Sequence, residues 1–211
     1  SVVGMSMVLI TGGLDLSIGS TFALGAGLCG LAVTDWGLPV PVGILIGLLL
    51  GAACGTVNGF LIVKTGIPPM IVTLGMQYAL RGTVSVLTKG VPIYPLPDSF
   101  TDLEPTKIFG LPIIILIAIL IAIIGHVSLS RTYFGRSVYA LGGNQEAARI
   151  SGINIQRTKM LVYILMGVLV AFAGMMTASR LGSAEPSTGT GLEMKVICGA
   201  IIGGISISGG M

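Results

Sequence analysis

The chain has 211 residues, of which 53% are hydrophobic and 9% charged, with a net charge of +3. Soluble domains carry about 25% charged residues, so this chain lacks the polar coat that a water-facing fold needs. A bilayer removes that need, because lipid-facing helices satisfy their own backbone, and the small net charge gives no ground for nucleic-acid binding.

A membrane span takes about 20 mostly apolar residues. Residues 1–10 read as the tail of one such helix, followed by a polar break at Thr11–Ser17. A second span is predicted over Ile18–Thr34, and Asp35-Trp36-Gly37 turns the chain, with Trp36 as an interfacial anchor. The third runs over Pro39–Val63 and closes at Lys64-Thr65-Gly66. Within it Gly43, Gly47, Gly51, Gly55 and Gly59 recur at every fourth position, which puts them on one slowly winding face suited to tight helix packing. Pro68-Pro69 fits the first turn of a fourth span that continues to Thr88. Arg81, in its middle, is expected to snorkel or to pair within the bundle.

Lys89–Gly110 is the longest extramembrane segment on its side, rich in proline and carrying Asp98, Asp102 and Glu104. A fifth span, Leu111–Leu129, is nearly all Ile, Leu and Ala, with His126 as an interfacial cap near its end. Then comes a basic loop, a sixth span over Met160–Ala178, a Gly/Ser/Thr/Pro segment at Arg180–Gly191, and the start of a seventh span. Cys29, Cys54 and Cys198 form no CxxC pair and read as small buried hydrophobes. Both ends lie in apolar or glycine-rich sequence, so the chain reads as one membrane domain, residues 1–211, truncated at both ends, with no cleavable signal peptide.

Orientation follows from the basic loop. Between Arg131 and Lys159 lie Arg136, Arg149 and Arg157, opposed by Glu146 alone, which makes residues 130–159 cytoplasmic. Alternate threading then places Lys64–Pro69 on the same side, with Lys89–Gly110 and Arg180–Gly191 on the other.

Three stretches carry candidate chemistry. In the break, Gly12, Gly13, Asp15 and Ser17 interrupt an apolar run, and a carboxylate at membrane depth is costly enough to suggest function. Three readings stay open there: a gate-shaping structural break in which Asp15 or Ser17 caps the next helix, direct contact with a solute, or proton coupling. In the basic loop, Asn144 to Gly152 reads as a short helix with Asn144 as N-cap, Glu146 in the first turn and Gly152 as terminator. So short a helix is unstable alone. Ala147, Ala148, Ile150 and Ile153 beside Glu146 and Arg149 offer it a small apolar face for docking to a partner. In the third stretch, Arg180 and Glu185 lie among hydroxyl residues that could meet a polar cargo or a delivering protein, or form an ordinary loop. The sequence contains no GxxxxGK[ST], HExxH or GxSxG motif, so no catalytic residue, metal or cofactor is expected on this chain, and energy for any transport comes from elsewhere.

Four stretches together resemble the membrane permeases of bacterial ATP-binding-cassette importers for monosaccharides, of the ribose type. They are Gly12 to Ser20; Ile67-Pro68-Pro69-Met70 to Gly75 with Arg81-Gly82; Gly135-Arg136 through Tyr139 to Asn144, Glu146-Ala147-Ala148-Arg149 and Ser151-Gly152-Ile153; and Ser183-Ala184-Glu185-Pro186 through Gly189, Gly191 and Glu193 to Gly203-Gly204. The resemblance implies an all-α polytopic bundle, this chain being a fragment of an about ten-helix permease that lacks one amino-terminal helix and the last two or three. It also implies a dimer of permeases in the lipid of a bacterial inner membrane, an extracytoplasmic solute-binding protein, and a cytoplasmic subunit that binds ATP and Mg and contacts the Glu146-Ala147-Ala148-Arg149 stretch. Inward transport by alternating access is expected, for a solute such as ribose, xylose, galactose or autoinducer-2, with specificity resting mainly on the binding protein. Met194-Lys195 departs from the family's more usual Leu-Asp. Rival readings are a branched-chain amino acid or nucleoside permease of related architecture, and an ion-coupled transporter using Asp15.

Overall fold

The computed structural model describes residues 1–102, 107–108 and 110–206, so Glu104, Pro105 and Gly209-Gly210-Met211 lie outside the described residues. The elements are α1 (Val2–Ile10), α2 (Ile18–Thr34), α3 (Val40–Thr65), α4 (Pro69–Leu87), α5 (Asp98–Thr101), β1 (Lys107–Ile108), β2 (Leu111–Pro112), α6 (Ile113–Arg131), α7 (Tyr133–Gly143), α8 (Gln145–Ile150), α9 (Ile155–Leu181) and α10 (Leu192–Ile202). Among the described residues the chain is all-α apart from the antiparallel β1–β2 pair, in which Lys107 faces Pro112 and Ile108 faces Leu111. Four helices, α3, α4, α6 and α9, are long and apolar enough to cross a membrane, and α2 is a shorter apolar helix.

Local chemistry sets these boundaries. Proline lies in the first turn of both α3 and α4, where its missing N–H costs nothing. Both α3 and α9 end on a left-handed glycine, Gly66 at φ 69° and Gly182 at φ 66°. The Asn154 side chain caps α9 by accepting from the Arg157 N–H.

The centre of the molecule is α3 packed antiparallel on α9, with α2 lying against both. All five glycines of the α3 stripe are buried. A Cβ added at Gly51 would overlap the Gly167 carbonyl, one at Gly55 the Tyr163 carbonyl, and one at Gly47 the Met175 sulfur. Gly43 is closed instead by Val33 and Cys29 of α2, and Gly59 by Met160 of α9. In lipid, helices gain little from burying apolar surface, so backbone-to-backbone van der Waals contact is what holds such a pair together. By contrast α6 buries only Gly125, against Val3 of α1.

The two ends of the bundle differ. At the basic end, the Ile62–Pro69 turn and the residues from Gln145 to Lys159 line a cavity of about 660 Å³. At the opposite end, Ile93 forms a bridge with Ala184, the Leu96 N–H donates to the Gly182 carbonyl, and the Ser179 hydroxyl donates to the Phe100 carbonyl. The loops are thus sorted to the two ends as alternate threading expects.

Three expectations need correction. The basic stretch is more helical than expected: it contains α7, an amphipathic helix that begins on a Thr132 cap accepting from Gly135 N–H, and α9 begins five residues before Met160. Arg157 and Lys159 are therefore helical. The apolar face expected on α8 is divided, because Ala148 is buried at 3% exposure while Ile150 is 84% exposed. A two-turn helix lying on the protein must present one side inward, and Ala148 is small enough to be that side. Finally, Cys29 and Cys54 are buried but Cys198 is exposed, since α10 is covered on only part of its surface.

Candidate functional site

The Thr11–Ser17 break folds as a knot of hydrogen bonds. Gly12 adopts φ 72°, reversing the chain after α1. Asp15 and Ser17 are buried, at 3% and 1% exposure. Asp15 Oδ1 accepts from the Ser17 N–H at 2.8 Å and from the Ser17 hydroxyl at 2.6 Å. Ser17 Oγ in turn accepts from Asn58 Nδ2 of α3 at 3.0 Å. Thr73 of α4 accepts from the Leu16 N–H at 3.1 Å, and the Tyr163 hydroxyl of α9 donates to the Leu14 carbonyl at 3.4 Å. Gly13 lies under Tyr163, whose hydroxyl would be 2.7 Å from an added Cβ. Backbone that leaves helical pairing at membrane depth needs replacement partners; Thr73 of α4 and Tyr163 of α9 supply them here, while Asn58 of α3 holds the Ser17 side chain. Of the four break residues singled out from sequence, Gly12 alone lines the basic-end cavity. Asn58, Thr73 and Tyr163 were not singled out, although an Asn between Gly55 and Gly59 in an apolar span is a readable signal.

A second break joins α9 to α10. Gly189 and Gly191 have φ 81° and 75°, and tight turns link Thr188 N–H to the Glu185 carbonyl and Leu192 N–H to the Gly189 carbonyl. Arg81, about three turns into α4, donates from Nη1 to the carbonyls of Pro186 and Thr188. The segment thus reaches inward from the outer end of α9 to the side of α4. There Gly189 abuts Gly19 in the first turn of α2, so closely that a Cβ on either glycine would overlap the other's backbone. Glu193 Oε2 lies beside Gly19, buried and without a hydrogen-bond partner. Arg180 and Glu185 are exposed at the rim of this segment.

At the basic end, Asn144 Oδ1 accepts from the Ala147 N–H, capping α8, and Gly152 ends it at φ 79°. Glu146 and Arg149 form a 3.1 Å ion pair with both side chains 70% exposed. Both stand outward with Ala147 and Ile150, away from the buried Ala148. Among the described residues no group of three or more His, Cys, Asp or Glu could hold a metal ion.

Four long apolar helices, with two polar helix breaks held together inside the bundle, define a multi-pass helical membrane protein. Over residues 1–211 the chain matches the family described as branched-chain amino acid transport system / permease component, and it belongs to that family. It is 39% identical to the autoinducer 2 import system permease protein LsrC of Enterobacter sp., over 98% of this chain and 60% of that protein. It is 40% identical to the ribose import permease protein RbsC of Bacillus subtilis, over 98% and 65%. With the xylose transport system permease protein XylH of Haemophilus influenzae it shares 31%, over 99% and 72%. The chain therefore spans about two thirds of the length of such relatives. No solved structure matches it. Family and hydropathy together make it a polytopic protein of the inner membrane.

Proposed function

We propose that the chain is the core of a permease subunit in an ATP-binding-cassette importer that moves a monosaccharide or sugar-like solute inward by alternating access. The observation that carries this reading is near-complete coverage of this chain by permeases named for ribose, xylose, allose and autoinducer 2 import.

In this reading the chain performs no catalysis. ATP and Mg are bound by a separate cytoplasmic subunit, and α8 docks on it. The outward-standing Glu146, Ala147, Arg149 and Ile150 are the contact surface, capped by Asn144, stopped by Gly152 and seated through Ala148. A second permease copy pairs with the open face of α4, where Gly75 and Gly82 have nothing within 4 Å of an added Cβ and Leu74 and Tyr78 are exposed. Small residues on an unpaired span allow such close approach. The extracytoplasmic binding protein delivers solute to the end bearing Arg180 and Glu185. Gly12, Gly13, Asp15 and Ser17 shape the inner break around which the bundle reorients.

A branched-chain amino acid permease is the second reading, favoured by the family's description. Ion coupling through Asp15 is less well supported, because its Oδ1 already takes two bonds from Ser17. The deciding experiment reconstitutes the full-length permease with its ATPase and binding protein, then measures ATP hydrolysis and uptake with sugars and with L-leucine. Sugar-stimulated hydrolysis and uptake are expected; stimulation by leucine alone would select the second reading.

A further inference from the structure

Arg81 and Glu193 both lie at the segment that carries the Gly19–Gly189 contact. They come from α4 and from the first turn of α10, far apart in sequence. Arg81 holds the Pro186 and Thr188 carbonyls and Glu193 Oε2 lies beside Gly19, which abuts Gly189, yet among the described residues the pair forms no ion pair. Arg81 uses only Nη1, and on backbone carbonyls. Glu193 Oε2 has no donor at all, although it is buried. Each residue is half-buried rather than sealed in, and Arg81 shares α4 with the open Tyr78 and Gly82 face.

A charged pair inside a membrane protein is costly unless it is neutralised or faces a polar passage. Here direct neutralisation is incomplete, leaving donor capacity on a guanidinium and an acceptor on a carboxylate. Sugar hydroxyls match that combination, since each can donate to a carboxylate and accept from a guanidinium at once. Sites of this kind form between discontinuous helices near mid-membrane in other transporters. Resting on the importer reading above, we infer that Arg81 and Glu193 contact the passing solute, a neutral polyhydroxylated molecule, beside the Gly19–Gly189 contact. Glu193 accepts from its hydroxyls; Arg81 holds the 186–188 backbone and donates from its remaining nitrogens.

The test uses the full-length importer with its ATPase and binding protein in proteoliposomes, with radiolabelled D-ribose, D-xylose, D-allose and L-leucine as probes. Uptake and ATP hydrolysis are read in the same vesicles. Glu193→Ala is expected to lower uptake of the transported sugar about tenfold, with hydrolysis stimulated by loaded binding protein kept within about twofold of wild type. Glu193→Gln keeps the shape and one acceptor oxygen, so it is expected to assemble normally and fall between the two, losing uptake but not hydrolysis. Unchanged uptake in both variants, with wild-type sugar uptake normal, overturns this inference alone. Uptake and hydrolysis that fall in parallel in Glu193→Gln also overturn it, because a purely structural latch behaves that way. Wild-type vesicles that import leucine and none of the sugars overturn the importer reading for sugars and the ligand class together.

Discussion

Gly19 and Gly189 touch backbone to backbone, and neither position has room for a Cβ. One lies in the first turn of α2 and the other in the irregular segment before α10, so the contact joins two interruptions of helical structure. Irregular backbone survives at membrane depth only where protein or water satisfies it. At this junction Arg81 takes the carbonyls of Pro186 and Thr188, while Asn58, Thr73 and Tyr163 secure the break before α2.

The α3–α9 seam should be intolerant of any side chain. Gly51→Ala would drive a methyl into the Gly167 carbonyl and is expected to destabilise the protein by about 1–3 kcal/mol. Gly143→Ala, at the exposed end of α7 with open space around it, is the control and should leave stability unchanged. Thermal unfolding of the detergent-solubilised protein, followed by size-exclusion fluorescence, compares the two.

Asp15 is held by Ser17 through one oxygen, Oδ1. Asp15→Asn keeps an acceptor there and should preserve assembly and ATP-driven uptake, whereas Asp15→Leu strands the Ser17 N–H and hydroxyl and should cost about 1–3 kcal/mol. Abolished uptake in a well-assembled Asn variant would instead assign Asp15 a part in transport itself.

Charge reversal on α8 should uncouple hydrolysis from uptake. The Glu146–Arg149 pair is 70% exposed on both sides, so its loss changes stability by less than about 0.5 kcal/mol. Glu146→Lys and Arg149→Glu should thus fold normally while substrate-stimulated ATPase activity and uptake part company. Normal stimulation in both variants would remove α8 from the docking surface.

Gly82 offers a direct probe of permease pairing. Nothing surrounds it within one chain, so Gly82→Leu should leave the subunit folded yet weaken the dimer. Native mass spectrometry or chemical cross-linking of the full-length protein should report a shift toward monomer. An unaffected dimer would place the second copy on another face.

Much of the fold was legible because its signals are local. Apolar length, Pro at helix starts and Gly at helix ends located α2 to the residue and α3 and α4 to within about two residues of each end. The four-residue glycine spacing foretold which face of α3 would be buried. Charge obscured the start of α9: Arg157 and Lys159 look like loop, but a capped helix can extend beyond the apolar core and carry cations in its first turn. Similarly, the seven-residue polar stretch before Ile18 announced a break without indicating what would hold it.

Composition, periodicity and loop charge alone therefore determined that this is a membrane protein, where its apolar spans lie and which loops share an end. These follow from solvent transfer and 3.6-residue geometry, which act on neighbours in the chain. Only the tertiary structure decided that Arg81 reaches carbonyls more than a hundred residues away, that Asn58 grips Ser17, and that Gly19 meets Gly189. Those pairings depend on how helices pack in three dimensions, and a polar residue's partner across a bundle leaves no mark on the residues beside it.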